Sequence, residues 1–409
     1  MRADSALDLL SGFDAERLRA CYPLSDTAAV AEMSKLLYRV RRLDEQVLAD
    51  RASEGPAASF PDSGNVVRVA GEVTAIRGYR VPDSLTEFLG MSEFREITLK
   101  TDGNAALVFV PQLPAQLKVG DAASCVAIDL SAAGDSAFVA AKMAWFPAKA
   151  ERLGWRLMAE RGVDLSLLSE LGGRNRQPLL AADAELFYET MRAADELRRQ
   201  PADSVPDPES VDPVRLLQSP QDYFGGWVRL DLKTIRLTRV VIENEVMKQQ
   251  LGQDFYWQID ASGDLGKTVI QLQRPGEESI QMSGYYPVTL VSKSIPGFLK
   301  ARVEDSAVDV MVDRPVRVAG FFLRLWSFEN EFMQNRGGGK QVAPLVVASL
   351  WQSSELTSEA AGIEVIGYTL ALFIVAAIVV TFLWTRRNTR TDRKVKLSTS
   401  SSVTIDVPR

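Results

Sequence analysis

The eight residues Ala261-Ser262-Gly263-Asp264-Leu265-Gly266-Lys267-Thr268 have the spacing of a phosphate-gripping loop, with alanine where the first glycine belongs. Such a loop works because it joins a strand to a helix, whose first amides point at the phosphates. Here Phe255 to Asp260 and Val269 to Leu272 both read as strands. Lys267 is therefore expected in a hairpin turn, and nucleotide binding is not expected. Arg336-Gly337-Gly338-Gly339-Lys340 has the amides for an anion nest, but a glycine run between two strands reads as a flexible hairpin connection. The chain contains no histidine. That excludes Ser-His-Asp and Cys-His nucleophile pairs, His-ligated zinc or haem, and any imidazole proton shuttle. Cys21 and Cys125 are the only cysteines. Their spacing suggests no metal or redox motif; the sequence leaves one bridge between them open, and two buried free thiols are the expectation. Glu243, Glu245, Asp254, Asp260 and Asp264 read as solvated acidic surface. No catalytic residue, metal or cofactor is expected.

What remains is recognition. Aromatic residues gather late in the chain, among them Tyr256, Trp257, Trp326 and Phe328. Adjacent residues on a strand face opposite ways, so at least one of Tyr256 and Trp257 is expected to face solvent. Exposed aromatics on a sheet are a platform for sugars, bases or apolar side chains. Arg236 and Arg324 read as strand residues of the same region and are expected to frame that face. These six residues form the expected partner-binding set.

The elements that would position them recur in order. A helix is expected from Ser25 or Asp26 to about Leu48, with Val30, Met33, Leu36, Leu37, Val40 and Leu43 at helical spacing. A second follows Asp183, through Leu186, Phe187, Met191 and Leu197. Pro23-Leu24 and Pro178-Leu179 precede them, 155 residues apart. Loops rich in Pro, Ser and Asp come next, and then alternating apolar residues that mark strands. In the first copy the strands are expected near Val66 to Tyr79, Phe94 to Thr101, Ala105 to Val110, Ala122 to Leu130 and Ala137 to Phe146. In the second they are expected near Trp227 to Val240, Phe255 to Asp260, Thr268 to Arg274, Val316 to Phe328 and Val342 to Trp351, with an insertion around Tyr285 to Lys293.

This strand order resembles the OB-fold, a five-stranded Greek-key barrel. The resemblance is one of fold, and it implies no particular ligand. The expected fold class is α+β: a duplicated helical pair plus an OB-like five-stranded β-barrel, followed by one C-terminal transmembrane helix. The expected divisions are a helical segment at 1–52, a first barrel at 64–147, a second helical segment at 150–200, a linker at 201–222, a second barrel at 223–352, the transmembrane helix at 363–385 and a basic tail at 386–409.

The twenty residues Val365 to Trp384 are uncharged and mostly apolar, long enough as a helix to span roughly 30 Å of hydrocarbon. Arg386, Arg387, Arg390, Arg393, Lys394 and Lys396 follow at once, whereas Gln352 to Gly362 has no basic residue. Basic residues near a membrane segment stay in the cytoplasm, so the tail is expected inside and the bulk of the chain outside. Met1 to Leu24 offers no apolar export signal, so this reading calls for a start upstream. From Thr385 on, the tail carries seven basic and two acidic residues. With a total charge of −6, the remainder stands at −11, a poor match for phosphate backbones. The expectation is a single-pass membrane protein whose extracytoplasmic body is a non-catalytic interaction or scaffolding module with a protein partner. The alternatives are binding of an envelope oligosaccharide and a tail-anchored cytosolic nucleic-acid binder.

Overall fold

The computed structural model describes residues 5–53, 64–101, 104–130, 136–273, 280–300, 309–329, 340–354 and 402–406. The chain divides into two compact units, Met1–Glu170 and Leu171–Arg409.

In the first unit, helices α1 (Ala15–Arg19), α2 (Thr27–Val40) and α3 (Glu45–Arg51) precede the sheet. The Asp26 carboxylate caps α2 by accepting from the Ala29 amide at 2.8 Å. Its buried stripe Met33, Leu36, Leu37 and Val40 follows the three-and-four spacing of the sequence, each side chain stabilising by about 1.5–3 kcal/mol on burial. The helix does not run on to Leu48. Asp44 accepts from the Gln46 amide at 2.9 Å and starts α3 instead.

Strand β1 (Val66–Arg80) is followed by helix α4 (Asp83–Leu89) and strands β2 (Glu93–Lys100), β3 (Ala105–Val110), β4 (Ala122–Asp129), β5 (Ala137–Ala140) and β6 (Ala144–Phe146). The sheet order is β1-β2-β3-β5-β4-β6, and β1 also pairs with β4. One long strand serves both neighbours: Val66 to Glu72 pair with β4, and Glu72 to Arg80 with β2. At the changeover Gly71 passes close to the end of β2. A Cβ at Gly71 would stand 2.5 Å from the Lys100 carbonyl oxygen, so only glycine fits. Helices α5 (Leu153–Ala159) and α6 (Ser166–Gly173) follow, and the division between the units falls within α6.

The second unit contains α7 (Ala184–Arg198), β7 (Glu209–Ser210), α8 (Pro213–Gln218), β8 (Gly226–Val241), α9 (Glu245–Leu251), β9 (Phe255–Gln273), β10 (Ile280–Ser292), α10 (Gly297–Lys300), β11 (Asp309–Phe328), β12 (Gln341–Ser353) and β13 (Ser402–Asp406). Its sheet order is β13-β9-β10-β12-β11-β8-β7, with β8 also pairing β9. A core of Leu230, Leu237, Ile259, Tyr286, Leu290, Phe322 and Val346 fills its interior.

The expected fold class is corrected in the number of its helices and strands. Three helices, not a pair, precede the first sheet. Among the described residues the sheets have six and seven strands, not five. Among the described residues no helix is long and apolar enough to cross a membrane, and the expected transmembrane helix at 363–385 lies outside them. In the first sheet the expected strand Ala137 to Phe146 is two, because β5 pairs with both β3 and β4 while β6 pairs with β4 alone. In the second, two expected strands are the single strand β9. The Gly- and Asp-rich segment between them bends the chain at Gly266 (φ +56°) without reversing it. The expected insertion is then β10 itself, paired along β9 with a bulge between Ser283 and Tyr285.

Candidate functional site

The six residues expected to form one binding face do not come together. Arg324, on β11, is fully buried. Its Nη2 donates to the Asp183 carboxylate at 2.8 Å and to the Pro178 carbonyl at 2.9 Å, while Nη1 donates to the carbonyls of Gln177 and Arg174. Burial lowers its pKa, partly offset by Asp183. It fastens a loop to a strand and is closed to a partner. Tyr256 packs edge-on against Phe187 and Tyr188 of α7, at 5.4 and 6.2 Å between ring centroids. Burial pushes its hydroxyl up to about 12. Trp257 lies half-buried against the core, edge-on to Phe255. Arg236 is tied to Asp260 at 2.6 Å and Asp309 at 3.6 Å. Trp326 and Phe328 stack on each other at 4.7 Å near the end of β11. Lys267 lies inside β9, between strand residues on both sides, so its segment lacks the helix that a phosphate loop requires.

The first unit holds a cleft of about 290 Å³ that the aromatic pattern did not point to. Arg77 and Tyr79 of β1 line it from one strand, two residues apart and thus on one face. Glu96 and Thr98 of β2 and Leu107 of β3 continue that face, in register: Arg77 opposite Glu96, and Thr98 opposite Leu107. The loop from Tyr22 to Ser25, between α1 and α2, forms the opposite wall. This face continues directly into the core through Phe94 and Phe109, both fully buried. The Tyr79 ring stacks on Phe94 at 5.3 Å, and Tyr22 leans on Phe109 at 6.0 Å.

Glu96 sits where the face passes from core to cleft, and only 6% of it is exposed. The Tyr79 hydroxyl donates to Glu96 Oε2 at 2.9 Å. Its other oxygen, Oε1, has the Arg77 guanidinium at 3.7 Å, an ion-pair distance longer than a hydrogen bond. Arg77 is itself 70% exposed. Burial raises the pKa of Tyr79, helped by donation to Glu96 and opposed by Arg77. The result is a carboxylate fixed on strands, with one oxygen hydrogen-bonded and the other held only by an ion pair at 3.7 Å.

The second unit has a cleft of about 470 Å³ between α8 and the bend of β9. Its two carboxylates are occupied by local turns: Asp212 accepts from the Arg215 amide at 2.8 Å, and Asp264 from the Gly266 amide at 2.7 Å. Among the described residues no group of three or more Asp, Glu, Cys or His side chains is placed to hold a metal ion. Cys21 and Cys125 are buried and free.

The chain matches no protein-family model, and no curated protein matches it. The site therefore stands on its own geometry. Glu96 lies far from the clustered aromatics that mark the expected binding face in the sequence. The available signal was a lone glutamate two residues from Phe94, in phase with a side chain that alternation sends into the core.

Proposed function

We propose that this protein is a non-catalytic binding module. The membrane would hold it through the apolar run 365–384, with the bulk of the chain extracytoplasmic and the arginine-rich tail cytoplasmic, and the cleft at Glu96 would receive part of a protein partner. The observation that carries this reading is the nearly buried Glu96 carboxylate, anchored by Tyr79 at the floor of an open cleft. Sites built on strands hold their polar groups in place before the ligand arrives, which lowers the ordering cost of binding. Membrane attachment adds to this by concentrating the cleft near partners in the same layer.

A photo-crosslinking amino acid at Ser25, on the rim, tests the reading in cells. A polypeptide adduct that disappears when Thr98→Trp fills the cleft supports it. Adducts of equal yield from Ser25 and from Val119, which is exposed and does not line the cleft, would sink it. An adduct that stains as carbohydrate would favour the oligosaccharide alternative, for which Ser25, Thr98 and Tyr79 supply hydroxyls.

One structural feature bears on sidedness. Strand β13 pairs in parallel with β9, Ser402 opposite Val269 through Asp406 opposite Gln273. A chain that makes this pairing has its C-terminal strand on the same side of any membrane as the second sheet. This supports a second reading, in which the tail folds back beside the sheet.

A further inference from the structure

Resting on the reading of the cleft as a partner site, we infer that its ligand is a basic side chain of a partner polypeptide, whose guanidinium or ammonium group donates to Glu96 Oε1. Three independent features lead there. The first is the unequal state of the two carboxylate oxygens. Oε2 accepts from Tyr79 at 2.9 Å, whereas the nearest cation to Oε1 stands at 3.7 Å. A buried carboxylate gains most from a charged donor at hydrogen-bond distance, and among the described residues none donates to Oε1 at that distance.

The second feature is the character of Arg77. It approaches Glu96 from the exposed strand end and keeps 70% of its side chain in water. An ion pair of that kind is worth little, so Arg77 is a loose resident cation that an incoming one can push outward. The Tyr22, Leu24 and Leu107 side chains line the same cleft, which suits the alkyl stem of a long basic residue. The third feature is the net charge of the first unit. Residues 1–170 carry 24 Asp and Glu against 19 Lys and Arg, and a net acidic body favours the approach of cationic partners.

The experiment uses the full chain in detergent micelles with 13C-labelled leucine methyls, titrated with N-butylguanidinium and with N-butylurea, its uncharged near-isostere. Saturable shifts of the Leu24 and Leu107 methyls by butylguanidinium are expected, with butylurea weaker by about tenfold or more, the scale of a charge-assisted hydrogen bond. Glu96→Gln should remove that difference. Arg77→Ala should tighten butylguanidinium binding severalfold, because the competing cation is gone. The Arg77 variant alters an exposed side chain and so tests the inference even if Glu96→Gln disturbs folding. Equal affinity for the two probes, or weaker binding in Arg77→Ala, overturns the inference. Butylurea or a neutral oligosaccharide shifting the two methyls while butylguanidinium does not would leave a binding cleft with the wrong ligand. Silence from every probe would remove both the inference and the cleft reading.

Discussion

Arg324 and Asp183 meet 2.8 Å apart with side-chain exposures of 0% and 1%. The two residues are 141 positions apart in the chain, and their pairing clamps the segment before α7 onto β11. Around the pair the polar groups are nearly all used. Arg174 binds the other Asp183 oxygen at 2.7 Å, the Leu180 amide donates to Asp183 at 3.0 Å, and the Arg176 amide donates to the Leu325 carbonyl at 2.8 Å. Arg176 takes the left-handed conformation, φ 66°, that this turn demands.

Replacing one member of such a pair leaves the other buried and uncompensated, a loss of roughly 3–5 kcal/mol. Arg324→Met should fall toward the lower end of that range, because Arg174 still neutralises Asp183 and the Gln177 carbonyl keeps the Ser327 amide, although the Arg174 and Pro178 carbonyls lose the Arg324 donor. Urea unfolding followed by circular dichroism reads the change. The pair Arg324→Met with Asp183→Leu should cost less than the two single losses added together. Additive losses would show that the two groups act separately.

Asp121 plays a comparable part in the first unit. Nearly buried, it accepts from the Trp145 indole at 2.8 Å and the Ala148 amide at 3.0 Å. Asp121→Ala strands these donors, at about 1–3 kcal/mol for each left unsatisfied. A lowered melting temperature should accompany a shift in Trp145 emission. Unchanged emission would mean that the indole has found another acceptor.

The fold and the site were legible to different degrees, and the reasons are physical. The stripe Met33, Leu36, Leu37 and Val40 shows α2 because helical periodicity is local. Its end at Val40 was missed because the apolar spacing continues to Leu43 while Asp44 caps a new helix. The segment Gly263 to Gly266 read as a turn by composition, but whether glycines reverse a strand or bend it depends on the strand opposite, here β10, against which β9 loops out residues 265 to 268. Arg324 is expected to frame an open face because lone strand arginines usually point outward. Its true environment is built by residues 174 to 183, far away in sequence, and no local pattern records them. Glu96 was passed over for the opposite reason, since one acidic residue in a strand carries no motif.

The two thiols give the protein a defined alkaline weakness. Burial pushes both Cys21 and Cys125 up to about 12 from an ordinary 9.0, Glu32 adding to the effect at Cys21. In the unfolded chain they ionise near 9, and in the folded protein they stay neutral until near 12. The unfolded state therefore binds fewer protons across that window. Their contribution to stability is complete below pH 9 and is lost as pH rises from 9 toward 12, by about 1.4 kcal/mol per pH unit for each thiol. Half-buried tyrosines raised in the same direction, Tyr79 and Tyr256 among them, add to the slope. Comparison with Cys125→Ala isolates the thiol's share: its urea midpoint should fall less steeply between pH 9 and 10.5 than that of the unmodified protein. Parallel slopes would mean that the Cys125 thiol ionises as readily folded as unfolded.

Sidedness of the C-terminal strand separates the two topologies that the sequence and the sheet support. The basic cluster after Trp384 argues for a tail on the cytoplasmic face, while five backbone pairs between β13 and β9 place Ser402 to Asp406 beside the second sheet. One molecule cannot do both if the apolar run crosses once. A Ser400→Cys variant in sealed, oriented vesicles settles the matter with a membrane-impermeant maleimide, because the two native thiols are buried and react slowly. Labelling from the face opposite the sheets is expected from the single crossing we propose, and it requires the β9 edge at Val269 to Gln273 to be open to another strand in the membrane-bound protein. Labelling from the same face as a cysteine placed at the exposed Val119 would instead hold the tail with the body and end the single-crossing topology.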